Sequence, residues 1–260
     1  MSTVAEWTLY EGMYAAYLDD PQELPRQWAA LHAGDGLPWP RAAEVQRAWA
    51  LFHAGRWGEA REAALALGAA GLPVACRAQA LHATFVEPGE KRKLELLLEV
   101  AQWCRTRQGE DAQDADAWYW QAHALGRYAQ AQPVTTAVAQ ELALQIRRGL
   151  GQARQLRPTH AEAHFALGAF QAEVIDKLGA LIAHPLGATA EGARAMFERG
   201  LVLHPRSVYG RIEYAQGLLM LEGEAAVERA ESLYRDAASV EPLDAAERLG
   251  TQIAQVALQE

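Results

Sequence analysis

Apolar residues along this chain recur at helical spacing and are cut off at prolines. Counting back from Pro158, Pro205 and Pro242, an aliphatic residue stands two positions before each (Leu156, Leu203, Val240) and a small residue five before (Ala153, Gly200, Ala237). A bulky apolar residue stands eight before (Leu150, Phe197, Tyr234), and Ile146, Ala193 and Ala230 stand twelve before. These offsets fall on one stripe of a helix. The small residues let a neighbouring helix approach closely. Proline then ends the helix, because it lacks an N–H and clashes with the preceding turn. A phrase repeated in this way is the mark of stacked helical hairpins, and such stacks mostly bind partners.

The pattern predicts helices over 4–18, 22–33, 41–54, 57–69, 73–85, 90–108, 115–131, 135–157, 160–175, 189–203, 206–222, 225–240 and 243–258. Asp19-Asp20-Pro21 is the first turn, with Asp20 a candidate N-cap. Gly34–Pro40 and Pro88-Gly89 mark breaks. Ala48, Gly55, Trp57 and Ala60 fall where a helical hairpin needs small and aromatic packing residues. Nowhere does an alternation of useful length suggest a strand. The last helix is expected to cover the exposed end of the stack, as terminal units must.

First helices of the pairs carry a second phrase. Ala115–Ala122 reads ADAWYWQA and Ala161–Gly168 reads AEAHFALG. Aligned, Trp118 matches His164, Tyr119 matches Phe165, and Ala122 matches Gly168. The aromatic fills the gap between two helices and the small residue permits close crossing. With these residues the chain resembles the tetratricopeptide repeat (TPR) superfamily. Its intervals Pro158–Pro205 and Pro205–Pro242 are longer than the ~34-residue ideal. Residues 90–242 resemble the regulator of microtubule dynamics family in GEKRKLELLLEVAQW, in DADAWYWQAHALGRYA, and in AEAHFALGAFQAEV followed by an insertion and EGARAMFERGLVLHP. The resemblance implies a short extra helix in the insertion, here Ile175–Thr189. It also implies association with microtubules and organelle contact sites, through anchors or targeting segments in eukaryotic members. Against microtubule binding stands charge: tubulin is acidic, and so is this chain.

Composition narrows the picture. Half of the 260 residues are apolar, and the preponderance of alanine and leucine favours helix. The net charge of -9 argues against nucleic acid, whose binding needs clustered Lys and Arg. The runs Lys91–Lys93 and Arg147–Arg148 read as solvated helix faces. The two cysteines, Cys76 and Cys104, are expected to be buried free thiols of a reducing compartment, with a disulfide between them the alternative. Acidic residues interrupt the N-terminal region, and no run approaches the ~18 apolar residues of a membrane span. A soluble cytoplasmic protein with no membrane span is expected.

Candidate chemistry is thin. His160 and His164 in HAEAH have metal-ligand spacing, but the Glu is out of place for a zincin. Glu110, Asp111, Asp114 and Asp116 lack the glycine and terminal glutamate of an EF-hand loop, so Asp114 or Asp116 is expected to cap the next helix. His184-Pro185 and His204-Pro205 suit helix ends. No phosphate loop or nucleophile elbow is present, GLGQAR lacking the spacing. No metal, no cofactor and no enzymatic activity are therefore expected.

The fold expected is all-α: a single domain over 1–260, forming a right-handed superhelical stack of divergent TPR-like hairpins with a C-terminal capping helix. Residues 1–89 hold divergent hairpins, 90–242 the clearest repeats, and 243–260 the cap. The function expected is a scaffold holding a peptide or protein in a concave groove lined by Tyr119, His123, Arg127, Phe165, Tyr209 and Gln216. The alternative is a carrier of a lipid or other apolar small molecule, in a cavity roofed by LGALIAHPLG of the insertion. Tryptophans 49, 57, 103, 118 and 120 read as core. Trp7, Trp28 and Trp39 either dock the N-terminal region or form a contact surface.

Overall fold

The computed structural model describes residue 7, residues 14–20, 22–131 and 136–259, with the side chains of 136–140 excepted. The described residues are built of helices and turns, with no strand among them. The order is α1 (Ala16–Asp19), α2 (Glu23–Leu31), α3 (Ala43–His53), α4 (Trp57–Leu65), α5 (Leu72–Phe85), α6 (Glu90–Glu110) and α7 (Ala115–Gln130). Then come α8 (Thr136–Leu156), α9 (Ala161–Leu178), α10 (Ala180–Ala183), α11 (Ala190–Leu203), α12 (Val208–Glu222), α13 (Val227–Ala238) and α14 (Ala245–Ala257). These bounds follow the predicted helices closely. The exception is the helix expected over 4–18, which lies largely outside the described residues, as does Pro21. Asp20 Oδ1 accepts the Gln22 N–H at 2.8 Å.

Where the sequence reading treats 1–260 as one stack, the chain divides into two compact units. One is carried by α1–α7 with Leu243–Ala246; the other by His32–Gly36, α8–α13 and α14 from Glu247 onward.

In the first unit α3 to α7 pack in chain order, each against the next. Gly55, at φ +87°, lets the chain reverse between α3 and α4, a backbone region other residues rarely adopt. Ala48, Trp57 and Ala60 are buried at that hairpin. Trp28 donates its indole N–H to the Leu37 carbonyl at 2.9 Å. It also meets Trp39 and Trp49 edge-on, with ring centroids 4.9 and 5.7 Å away. The C-terminal segment Leu243–Ala246 is tied into this unit. His53 Nδ1 lies 2.6 Å from Asp244 Oδ2, both side chains buried, and the Tyr17 hydroxyl donates to the Leu243 carbonyl at 2.5 Å.

In the second unit the proline-terminated stripe is the core. Ile146, Leu150 and Ala153 of α8, Ala193, Phe197 and Gly200 of α11, and Ala230, Tyr234 and Ala237 of α13 are all buried. Phe165 of α9 lies where a Cβ on Gly200 of α11 or on Gly210 of α12 would come under 3.0 Å from its ring. Phe197 of α11 stands against Gly217 of α12 in the same way. Two aromatic rings thus fill spaces left by glycines on facing helices. From α14, Ala254 packs with Val208, Ile212, Ala230 and Tyr234 in one cluster, so the last helix covers α12 and α13. The loop His32–Gly36 belongs here too: Arg157 donates to the Asp35 carbonyl at 2.8 Å, and the Glu162 N–H donates to the Gly34 carbonyl at 3.1 Å.

Ala153 and Ala237 are fully buried. Ala153→Trp and Ala237→Trp are each expected to lower stability by about 1–3 kcal/mol or more, through overpacking. Urea unfolding checks this, and unchanged midpoints would contradict the packing described.

Candidate functional site

Helices α7, α9 and α12 start in one manner. Asp114 caps α7 by accepting the Ala117 N–H at 3.1 Å, as expected. His160 caps α9 through Nδ1, which accepts the Ala163 N–H at 3.3 Å. Ser207 caps α12 by accepting the Gly210 N–H at 2.9 Å. Each acceptor satisfies one of the N–H groups that a helix start leaves unpaired. HAEAH is thereby accounted for, since His164 donates Nδ1–H to the His160 carbonyl at 3.0 Å. The acidic loop is accounted for by Arg107, which donates to Asp114 at 2.8 Å and to Asp111 at 3.0 Å and faces Glu110 at 3.5 Å. Among the described residues no three His, Cys, Asp or Glu side chains are grouped to hold a metal ion.

The six groove residues separate into three kinds. Tyr119 and Phe165 are core, 2 % and 0 % exposed. Their aligned position is the gap-filling one, which withdraws both from contact with a partner. Tyr209 is half-buried against the Phe165 and Phe197 cluster. The α12 residue aligned with Tyr119 is the buried Ile212, so Tyr209 precedes that position. Gln216 is exposed on α12. His123 and Arg127 are half-buried on α7. Four of the six therefore remain at the surface, and they divide between the two units.

On the first unit the α7 face is an aromatic bed edged with positive charge. The His123 ring lies 5.6 Å from Tyr119 and 5.3 Å from Trp120. The Arg77 guanidinium of α5 lies 5.4 Å from the centre of the Trp120 ring, a cation–π distance. Arg127 donates to Gln130 Oε1 at 3.0 Å. Burial, then the charges of Arg127 and Arg77, holds the His123 imidazole well below its ordinary 6.5, so it is neutral at pH 7. A Cβ on Gly126, one residue before Arg127, would meet no atom of the described residues within 4 Å. On a chain of net charge -9, this face brings two arginines, Arg77 and Arg127, beside one aromatic cluster.

A second polar cluster escaped the sequence reading. Arg61 of α4 donates Nε–H to Gln79 Oε1, and its guanidinium lies 3.5 Å from Glu99 Oε2. Gln79 also donates to the Leu96 carbonyl at 2.8 Å and to Glu99 at 3.0 Å. The Arg61 guanidinium lies 5.7 Å from the centre of the Trp7 ring and 5.6 Å from that of Trp103. His82 stacks on Trp7 at 3.9 Å. Burial lowers the pKa of Arg61, with Glu99 opposing; the partners compensate its charge. This is a pin joining α4, α5 and α6. Its signal in the sequence was polar Gln79 and His82 among the alanines and leucine of VACRAQALHATF.

The insertion contains a short helix, α10. Leu181 is 93 % exposed and Ile182 also faces solvent, so neither side chain roofs a cavity. No helix of the described residues is long and apolar enough to cross a membrane. Compared with known proteins, the chain matches no family model and no curated protein sequence.

Proposed function

We propose that this chain is a non-enzymatic binding scaffold of TPR-like hairpins, related in its repeats to the regulator of microtubule dynamics family and working in the cytoplasm. Its partner is a peptide or protein segment bearing carboxylates. The observation that carries the reading is the α7 face: Arg77 and Arg127 flank a neutral His123 over Trp120, with open space at Gly126. Guanidinium groups bind carboxylates through short, charge-assisted hydrogen bonds. Arginine and tryptophan are the usual anchors of protein contacts. His123 adds aromatic surface without competing charge. The aligned capping residues and the short helix within the insertion support the repeat reading. The exposure of Leu181 favours the scaffold reading over the carrier alternative.

The test is affinity capture read by quantitative mass spectrometry, comparing the natural chain with Arg77→Gln/Arg127→Gln. Recovery of the specific partner should fall about tenfold or more, with the helical circular-dichroism spectrum unchanged. Equal recovery from both proteins would remove the α7 face as the binding site.

A further inference from the structure

We propose that Cys76 and Cys104 are a dithiol built for intramolecular oxidation, forming a reversible disulfide that locks α5 onto α6. The two sulfurs face each other at 3.5 Å, within reach of an S–H···S hydrogen bond. Both side chains are fully buried and free in this structure. A disulfide needs ~2.05 Å between sulfurs, so closing the bond takes about 1.5 Å, a distance that side-chain rotation and a slight helix shift supply. No competing pair exists, because these are the only cysteines of the chain.

Burial, then the hydrogen bond with Cys104, pushes the Cys76 thiol well above its ordinary value. Cys76 therefore rests as a thiol. The pair reacts when local opening admits a small two-electron oxidant of the peroxide class. One thiolate attacks a peroxide oxygen and becomes a sulfenic acid, while the departing hydroxide takes up a proton to leave as water. The second sulfur then attacks the sulfenic sulfur, forming the S–S bond, and the hydroxide it expels combines with the second thiol's proton. Two thiols and one hydrogen peroxide give one disulfide and two waters; each sulfur gives up one electron and the peroxide gains two. A dithiol reductant reverses the change. The crosslink spans 28 residues and fixes the helix that carries Arg77.

The experiment uses the reduced full-length chain, treated with hydrogen peroxide well below its melting temperature, then unfolded and alkylated. The expected product is a monomer about 2 Da lighter with no alkylated cysteine. It should contain a Cys76–Cys104 linked peptide and melt roughly 5–10 °C higher, since the link restricts the unfolded chain. Dithiothreitol should restore both mass and melting temperature. Cys104→Ala, treated alike, should show neither the mass loss nor the rise. Two alkylated thiols after treatment, oxygen adducts on separate cysteines, disulfide-linked dimers, or closure only in denaturant would each overturn the proposal.

Discussion

Gly200→Ala and Gly210→Ala are each expected to lower the melting temperature by several degrees, while Gly151→Ala raises it. In a helix interior the change normally gains about 0.5–1 kcal/mol, because alanine has less backbone entropy to lose. Gly151, on an exposed part of α8, has nothing within 4 Å of the added methyl and should show that gain. At Gly200 and Gly210 the methyl would land under 3.0 Å from the Phe165 ring, which is fully buried and bounded by both glycines. Overpacking of that kind costs about 1–3 kcal/mol or more and outweighs the propensity gain. Phe165→Leu, itself destabilising, should cost less in the Gly210→Ala background than in the natural chain, because the two sites share one space. Thermal unfolding followed by circular dichroism decides the matter. Equal stability of Gly210→Ala and the natural protein would refute the interdigitation of α9, α11 and α12.

The second large effect is loss of stability in mild acid. Burial depresses the pKa values of His82, His123 and His164 below the ordinary 6.5. For His82 the nearby Glu87 opposes the change, and for His164 the His160 carbonyl opposes it. Each histidine folds neutral, so between its folded value and 6.5 the unfolded chain binds more protons. The stability these neutral histidines contribute is full above pH 6.5 and is lost as pH falls through 6.5 toward the folded values. Each tenfold weakening of proton affinity on folding corresponds to about 1.4 kcal/mol. His123, whose pKa is depressed the most of the three, should contribute most. Melting temperatures between pH 7.5 and 5 should fall, and His123→Phe should flatten the slope. An unchanged slope in that variant would mean that the surroundings of His123 do not hold its imidazole neutral in the folded chain.

The helices were legible because proline, capping residues and apolar spacing act locally. The stripe from Ile146 to Leu156 and its two echoes needed only the geometry of one helix to be seen. Tyr119 and Phe165 show where that logic was misapplied. Alignment had already put both in the gap between helices, and a gap-filling ring cannot also face a partner. Arg77 and Gln79 were missed for the opposite reason: their significance lies in Trp120, Arg61 and Glu99 on other helices, which no single-helix periodicity reveals. Likewise the approach of Cys76 to Cys104 depends on the packing of α5 against α6 and cannot be read from spacing.

Capture of a carboxylate-bearing segment on the α7 face is most directly tested by photocrosslinking from Gly126, where an added Cβ meets no described atom within 4 Å, with a benzoylphenylalanine placed there. This position is expected to trap a partner through an acidic segment, Arg77→Gln/Arg127→Gln to abolish the adduct, and crosslinking from the exposed Leu181 to yield none. Adducts from Leu181 and none from Gly126 would contradict capture on this face.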